Sequence, residues 1–333
     1  MRQGSSRLMD GVAAALLAAM LVIPFLHPVH YRPIPSFWHE WWAVMLGIGL
    51  FAAVLARPAA WSPLRIPGVA MIPLSMIVLI LIQYFVGRIY FPQQGLLFAG
   101  MLFWALLLTV TGRRLADSHG LEGMAGIAAT ALVGGALANA LALLVQITGA
   151  DVSARLVFHQ PNALLGANLA QPNHLNDQLW LGLGSLLYLH ARGRCRDLAA
   201  FAIALALLAA STMTGSRSTL LYAAAFVGVA WLAGRDPDRA VELRTLQRST
   251  WVLTALALLL MALHMAAGHF GLLPASHPPS TFERFFADEG GFGLRLSFWQ
   301  RTWHIFLHFP WLGAGVGGLP WQDYLSIDEL PAS

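Results

Sequence analysis

The sequence contains no lysine, only one cysteine and few charged residues. Across 333 residues, 11% are charged, and all 20 basic side chains are arginine. A single cysteine excludes an intrachain disulfide, and no group of Cys and His has the spacing of a zinc site. The chain also lacks a phosphate loop closed by Lys-Ser or Lys-Thr and a serine nucleophile elbow. We therefore expect neither a zinc hydrolase nor a nucleotide hydrolase, and no metal or other cofactor.

Apolar residues dominate what is present. They make up 57% of the chain, and the mean hydropathy is +0.63. A spanning helix needs about 20 mostly apolar residues, and nine stretches qualify: 8–26, 41–56, 67–87, 95–112, 123–147, 175–191, 197–213, 219–234 and 250–268. Because backbone groups in lipid must pair within their own segment, we predict an all-α, polytopic membrane protein with nine transmembrane helices. The first stretch is long for a cleaved signal and is interpreted as a retained helix.

The arginines indicate an orientation. With a cytoplasmic amino terminus, 13 of the 20 arginines fall on the inner side, as the positive-inside rule requires. Cys195 then lies in the cytoplasm between Arg194 and Arg196. We predict a multi-pass membrane protein with a cytoplasmic amino terminus, and we attribute the net charge of +4 to this topology rather than to nucleic-acid binding.

Three long loops fall on the predicted outer face: 27–40, 148–174 and 269–333. The first mixes His, Pro and Trp and is typical of an aromatic interfacial belt, so we assign it no chemistry. Ten of the twelve histidines lie on or near this face, which is mild support for an outward site. In the third loop, the spacing of Arg295, Trp299, Trp303 and Phe306 predicts an amphipathic helix along the membrane surface, followed by a pliable glycine-rich turn at 313–318.

The second long loop repeats the tripeptide Gln-Pro-Asn, at 160–162 and 171–173. Amide side chains donate and accept hydrogen bonds without charge, which suits sugar hydroxyls or a phosphate. The same residues also form turns and cap helices, here the helix expected to start near Leu175. On spacing alone, the structural role is favoured.

Arg217 is a stronger candidate for a binding residue than the amides of the Gln-Pro-Asn loop. It lies in a turn of a few residues between two predicted spans, at a depth where an ionisable group is costly and is commonly functional; its alternative role is snorkelling to lipid headgroups. Arg155, Arg295 and Arg301 are weaker candidates on the same face. Guanidinium pairs phosphate through two hydrogen bonds, although high genomic GC content would also replace lysine by arginine. The sequence thus indicates an outward-facing site for a phosphorylated, membrane-borne substrate.

Three stretches together resemble one family. Residues 166–189, "GANLAQPNHLNDQLWLGLGSLLYL", are similar to the Gln-Pro-Asn signature of bacterial O-linked protein oligosaccharyltransferases of the PglL/PilO type. Residues 211–232, "STMTGSRSTLLYAAAFVGVAWL", and 295–321, "RLSFWQRTWHIFLHFPWLGAGVGGLPW", resemble the Wzy_C region that this family shares with O-antigen ligases and polymerases. The likeness is strongest from about residue 160 onward.

The resemblance implies an enzyme with a GT-C-like O-antigen ligase fold. Such enzymes lie in the bacterial inner membrane. On its periplasmic side they transfer a preassembled glycan from undecaprenyl pyrophosphate to an acceptor, either a pilin-like protein or the lipid A core, without a metal or nucleotide sugar. By motif, Arg217 and Arg295 would bind the donor pyrophosphate, and Gln171, Pro172, Asn173 and His174 would form the signature loop. An O-antigen ligase or polymerase is the alternative within the superfamily, and a lipid-linked glycan transporter is the alternative outside it.

One feature departs from the family pattern. The family carries a His-containing segment after the glycine-rich turn, and its histidine is the expected general base. This chain ends at Ser333 before any such segment, so we leave the catalytic residue unassigned and expect a truncated product. Along the chain we predict a transmembrane bundle at 1–147, the Gln-Pro-Asn loop at 148–174, a Wzy_C-like transmembrane region at 175–268 and an incomplete periplasmic loop at 269–333.

Overall fold

The protein is built from α-helices. The structure, a computed structural model, describes residues 2–30, 35–56, 65–158, 165–233, 241–272, 280–286 and 291–325, and it contains no strand within those ranges. The helices are α1 (Arg2–Leu26), α2 (Phe37–Leu55), α3 (Met71–Phe85), α4 (Pro92–His119), α5 (Leu121–Thr148), α6 (Pro172–Ala191), α7 (Asp197–Met213), α8 (Ser218–Ala233), α9 (Val241–His269), α10 (Thr281–Phe286), α11 (Gly291–His308) and α12 (Leu319–Leu325). The predicted all-α class is confirmed.

The nine predicted spans coincide with α1 to α9. In the described part of the chain, six helical segments are both long and apolar enough to cross a membrane: those of α1, α2, α3, α4, α5 and α9. Helices α7 and α8 are apolar but shorter, and α6 begins with the polar sequence Pro-Asn-His-Leu-Asn-Asp-Gln. The chain is therefore a multi-pass membrane protein, in which α6 to α8 are less typical spans than the sequence indicated.

Contacts divide the chain into two compact units. The first unit contains Met1–Leu50 and His119–Ala287, and the second contains Phe51–Ser118 and Asp288–Ser333. Each unit therefore combines stretches that are far apart in sequence. The four segments proposed from the sequence describe order along the chain and stay a prediction.

Helix α6 is the centre of the first unit. It packs against α5, α7, α8 and α9, while α5 also packs against α1. Leu175, Leu179 and Leu183 recur every four residues and are completely buried, so one face of α6 supplies the core. Gly182 permits the tight approach of α5, because a Cβ added there would lie 2.5 Å from the Cβ of Ala136.

In the second unit, the glycine-rich turn is held by α3 and the residues that follow it. Gln83 Nε2 donates to the Leu312 carbonyl at 2.6 Å, and its Oε1 accepts from the Val316 amide at 3.2 Å. Gly315 has a φ of +86° and lies directly against the Arg88 carbonyl, where a side chain would clash. The turn predicted to be pliable thus has defined partners. The predicted helix before it is present as α11.

Candidate functional site

The second Gln-Pro-Asn copy forms the start of α6. Gln171 is the extended N-cap residue, with φ −139° and ψ 125°, and Pro172 occupies the first turn, where its missing N–H costs nothing. Asn173 and His174 follow inside the helix and are exposed. Helix α6 thus begins three residues before the predicted start near Leu175, because Pro172 favours helix initiation. The signature therefore lies at a helix N-terminus.

A hydrogen bond joins this signature to the turn that carries Arg217. Ser216 Oγ donates to Asn173 Oδ1 at 2.8 Å across 43 residues of sequence. Ser216 Oγ also lies 2.8 Å from Ser218 Oγ, and the Ser216 carbonyl accepts from Thr281 Oγ1 at 3.4 Å. The structure thus brings together two of the predicted site elements, the signature and the turn between α7 and α8 that contains Arg217.

A buried polar network below this contact fixes the ends of α6, α7 and α8. Asn176 Oδ1 accepts from Ser211 Oγ at 2.6 Å, and Asn176 Nδ2 donates to Ser218 Oγ at 2.9 Å. Trp180 Nε1 donates to Ser211 Oγ at 3.0 Å. Asn176 and Ser211 have no exposed surface, so these bonds are formed away from solvent and hold the three helix ends in one geometry.

Arg217 lies at the junction of α6 and α8, next to the Asn173–Ser216 hydrogen bond, and one of its donors has no acceptor among the described residues. Its side chain is half-buried, and its Nε is shielded from solvent with no acceptor among the described residues. Leaving a charged donor unpaired is costly, and an oxyanion would satisfy it. Helices α6 and α8 both begin beside the Asn173–Ser216 bond, and helix N-termini favour negative charge. The junction has the chemistry of an anion site.

A carboxylate that the sequence reasoning passed over lies one turn further along α6. Asp177 accepts a hydrogen bond from Tyr222 of α8 at 2.7 Å. Both line an apolar cavity of about 600 Å³, whose walls are small residues of α5 and α6 and rings of α6 and α8: Ala125, Ala128, Ala129, Gly184, Trp180 and Phe226. The signal available was a single acidic residue inside a predicted span, which is rare without a function.

The segment leading into the signature has an unusual backbone. Ala167 and Ala170 adopt positive φ angles of 46° and 56°, a region that side chains other than glycine seldom occupy. A Cβ added at Gly166 would collide with the backbone of Ala170 and Gln171. Strained backbone of this kind persists where surrounding contacts enforce it and is frequent at functional sites.

Buried amides supply those contacts. Asn168 Nδ2 donates to the carbonyls of Leu26 and Leu156 at 2.9 and 2.8 Å, and its Oδ1 accepts from the Phe158 amide at 2.9 Å. The Asn168 amide donates to Asn139 Oδ1 at 3.2 Å. Asn168 therefore anchors the segment before the signature to the end of α1 and to the loop after α5.

The other residues predicted for the site lie in different places in the structure. Arg155 is exposed. Arg301 Nε donates to Asp323 Oδ1 at 2.7 Å, so this guanidinium already has a carboxylate partner within the second unit. Arg295 lies in α11, and its side chain is outside the described part of the structure. The first Gln-Pro-Asn copy, 160–162, is also outside the described residues.

Comparison with known proteins gives one family match and one similar protein. The Wzy_C family, described as O-antigen ligase, matches residues 199–332. A general O-oligosaccharyltransferase from Acinetobacter baylyi is 26% identical over 217 residues, which are 64% of this chain and 37% of that protein. The chain thus spans little more than a third of this relative. No solved structure matches the chain.

Proposed function

We propose that this chain, whose residues 199–332 match the Wzy_C O-antigen ligase family, transfers a preassembled glycan from undecaprenyl pyrophosphate to Ser or Thr of a periplasmic, pilin-like protein. The observation that carries the proposal is the Asn173–Ser216 hydrogen bond. It places the signature beside Arg217, whose Nε has no acceptor among the described residues. The similarity to a general O-oligosaccharyltransferase supports a protein acceptor.

The proposed reaction exchanges one bond at the anomeric carbon of the donor. The acceptor hydroxyl oxygen forms a bond to that carbon, the bond to the pyrophosphate oxygen breaks, and the electron pair leaves on pyrophosphate. The hydroxyl proton passes to a general base. Arg217 would bind the pyrophosphate as negative charge develops on it, and each such charge-assisted contact contributes about 1.5–3 kcal/mol. The N-termini of α6 and α8 would add to this stabilisation.

The apolar cavity lined by Asp177 and Tyr222 supports a lipid-linked donor. Asn173, Asp177, Leu181 and Tyr188 follow one another along one side of α6, and the last three line the cavity. Its other walls are apolar residues of α5 and α8. An apolar cavity beginning one helical turn after Asn173 supports a membrane-borne rather than a soluble donor.

The second candidate function is transfer to the lipid A core. The family description, O-antigen ligase, favours it, and the same donor chemistry serves both reactions. The acceptor distinguishes the two functions. Glycan attached to protein in native membranes supports the oligosaccharyltransferase, and glycan attached only to lipid A core supports the ligase.

Substitution of Arg217 tests the donor site. In native membranes we expect Arg217→Ala to lower glycan transfer by about 10- to 100-fold, the loss of one charge-assisted contact, as measured by mass spectrometry of the acceptor. Arg217→Lys should recover only part of the activity, because an ammonium cannot form the two-pronged contact. Arg248→Ala is the matched control, since Arg248 is an exposed arginine of α9.

Protein level and thermal unfolding are measured for each variant. Wild-type transfer by Arg217→Ala, at wild-type protein level, removes Arg217 from the mechanism. An equal loss in Arg248→Ala shows that the effect is not specific to the proposed site.

A further inference from the structure

Histidines from two segments lie next to residues 167–170, the segment with positive φ angles before the signature. His30 follows α1, and His39 lies in the first turn of α2. Their rings are 4.8 Å apart in an edge-to-face arrangement, and the ring of Phe158 lies 4.9 Å from His30. His39 Nε2 lies 3.1 Å from the His27 carbonyl. Among the described residues, no group of three His, Cys, Asp or Glu side chains could hold a metal ion.

Both ring nitrogens of His30 contact carbonyl oxygens. Nδ1 is 3.2 Å from the Pro35 carbonyl, and Nε2 is 2.9 Å from the Asn168 carbonyl. A carbonyl oxygen only accepts hydrogen bonds, whereas a neutral imidazole has one donor and one acceptor nitrogen. Both contacts can be hydrogen bonds only when both nitrogens carry protons. In the neutral ring, one contact sets two lone pairs against each other.

The Asn168 contact lies three residues before the signature. Asn168 belongs to the turn between the two strained residues, Ala167 and Ala170, and Gln171 follows as the N-cap of α6. Because strained backbone persists only where its surroundings enforce it, a hydrogen bond to the Asn168 carbonyl bears directly on the geometry of the signature.

Among the described residues, the ionisable groups around His30 include three histidines. His27 and His39 lie nearest in the same cluster, and His174 of α6 interacts electrostatically with His39. Burial first, and then the charge of His30, lower the pKa of His27. Glu40 of α2 accepts a hydrogen bond from Ser36 at 2.7 Å, and Asp151 and Arg155 of the loop after α5 are exposed.

We propose that His30 is a proton-dependent positioning residue. When both ring nitrogens carry protons, the hydrogen bonds to the Pro35 and Asn168 carbonyls hold residues 165–171, and with them the signature, in the observed conformation. We call this pair of hydrogen bonds the clamp. Its consequence for glycan transfer rests on the proposed function; the clamp itself does not. Histidine is the side chain that changes charge between about pH 5 and pH 8. The clamp has both hydrogen bonds when the ring carries two protons and only one when the ring is neutral.

Hydrogen exchange of the amides of residues 167–170 tests the clamp in the purified full chain. We compare protection factors, corrected for intrinsic exchange, at about pH 5.5 and about pH 8, on either side of histidine titration. In the wild type we expect protection to be about tenfold higher at the acid pH, the effect of one charge-assisted hydrogen bond. His30→Gln should give equal protection at both pH values, and His30→Arg, which stays charged, should give high protection at both.

His269→Gln is the matched control, because His269 is an exposed histidine at the end of α9, and it should keep the wild-type response. If His30→Gln does not fold, the comparison of the wild type with His30→Arg still decides. Protection in the wild type that does not change with pH overturns the proposal, and so does a wild-type response in His30→Gln.

Glycan transfer is followed over the same pH range. A pH-dependent clamp in a protein that transfers no glycan refutes the proposed function alone. Active transfer with protection that is independent of pH refutes the clamp alone.

Discussion

Uncharged amides do much of the internal polar bonding at the residue scale. Asn139 Nδ2 donates to the Phe25 carbonyl and to Gln178 Oε1, and Asn168 bridges three backbone segments. Both asparagines are almost completely buried. An amide can satisfy several buried backbone groups without the desolvation cost of a charge. A chain with 11% charged residues thus still fixes an irregular segment.

Replacing Asn168 by Ala tests this anchoring. The change leaves the Phe158 amide and the Leu26 and Leu156 carbonyls without their side-chain partner, at a cost of roughly 1–3 kcal/mol for each group. We expect a loss of about 3 kcal/mol or more in the free energy of unfolding, measured by denaturant titration in detergent. Gln171→Ala is the control, because Gln171 is exposed and forms no side-chain cap. Equal stability of the two variants contradicts the anchoring role.

The close approach of α5 and α6 is the critical feature at the scale of elements. Gly182 faces Ala136, with space for neither side chain to grow. Gly184, half a turn away on α6, has only ordinary contact with Phe226, at 3.7 Å from an added Cβ. Both glycines lie in α6, but only Gly182 is tightly packed. Comparing the same substitution at the two positions therefore separates the effect of packing from the effect of helix propensity.

We expect Gly182→Ala to destabilise the protein by about 1–3 kcal/mol, the usual cost of overpacking. Gly184→Ala should be neutral or slightly stabilising, because alanine is the better helix former by about 1 kcal/mol. Thermal unfolding in detergent compares the two variants. Similar shifts in both would show that α5 and α6 separate at little cost.

At the scale of the whole molecule, the predicted orientation in the membrane places the two ends of the first unit's helices on opposite sides. The predicted cytoplasmic ends of the helices in the first unit are joined by ion pairs: Arg192 contacts Glu122 of α5 at 2.9 Å and Glu242 of α9 at 2.6 Å. The signature and Arg217 lie at the opposite ends of α6 and α8. The proposed orientation therefore puts the ion pairs in the cytoplasm and the anion site in the periplasm.

Cys195 is a native probe of that orientation, since it is the one cysteine and is partly exposed. A membrane-impermeant maleimide should label it in inverted vesicles and leave it unlabelled in intact spheroplasts. In a Cys195→Ser background, Ser153→Cys should give the reverse pattern, because Ser153 lies exposed in the loop after α5. Labelling of Cys195 from outside would place the proposed site on the cytoplasmic face.

Hydrophobicity by itself determined the class of the protein and its order of helices. Long apolar runs have no stable alternative to helices in lipid, so all nine stretches were predictable, and so was the position of Arg217 between two of them. Helix ends were less certain, because Pro172 and Asn173 serve a turn or a helix start equally well.

Only the tertiary structure decided which polar residues meet. The Asn173–Ser216 bond, the Asp177–Tyr222 pair and the His30–Asn168 contact join segments separated in sequence. No spacing rule encodes them, because they depend on how α1, α5, α6 and α8 pack. The sequence indicated an aromatic interfacial belt around His30, and packing adds its contact with the Asn168 carbonyl, on which the proposed positioning role rests.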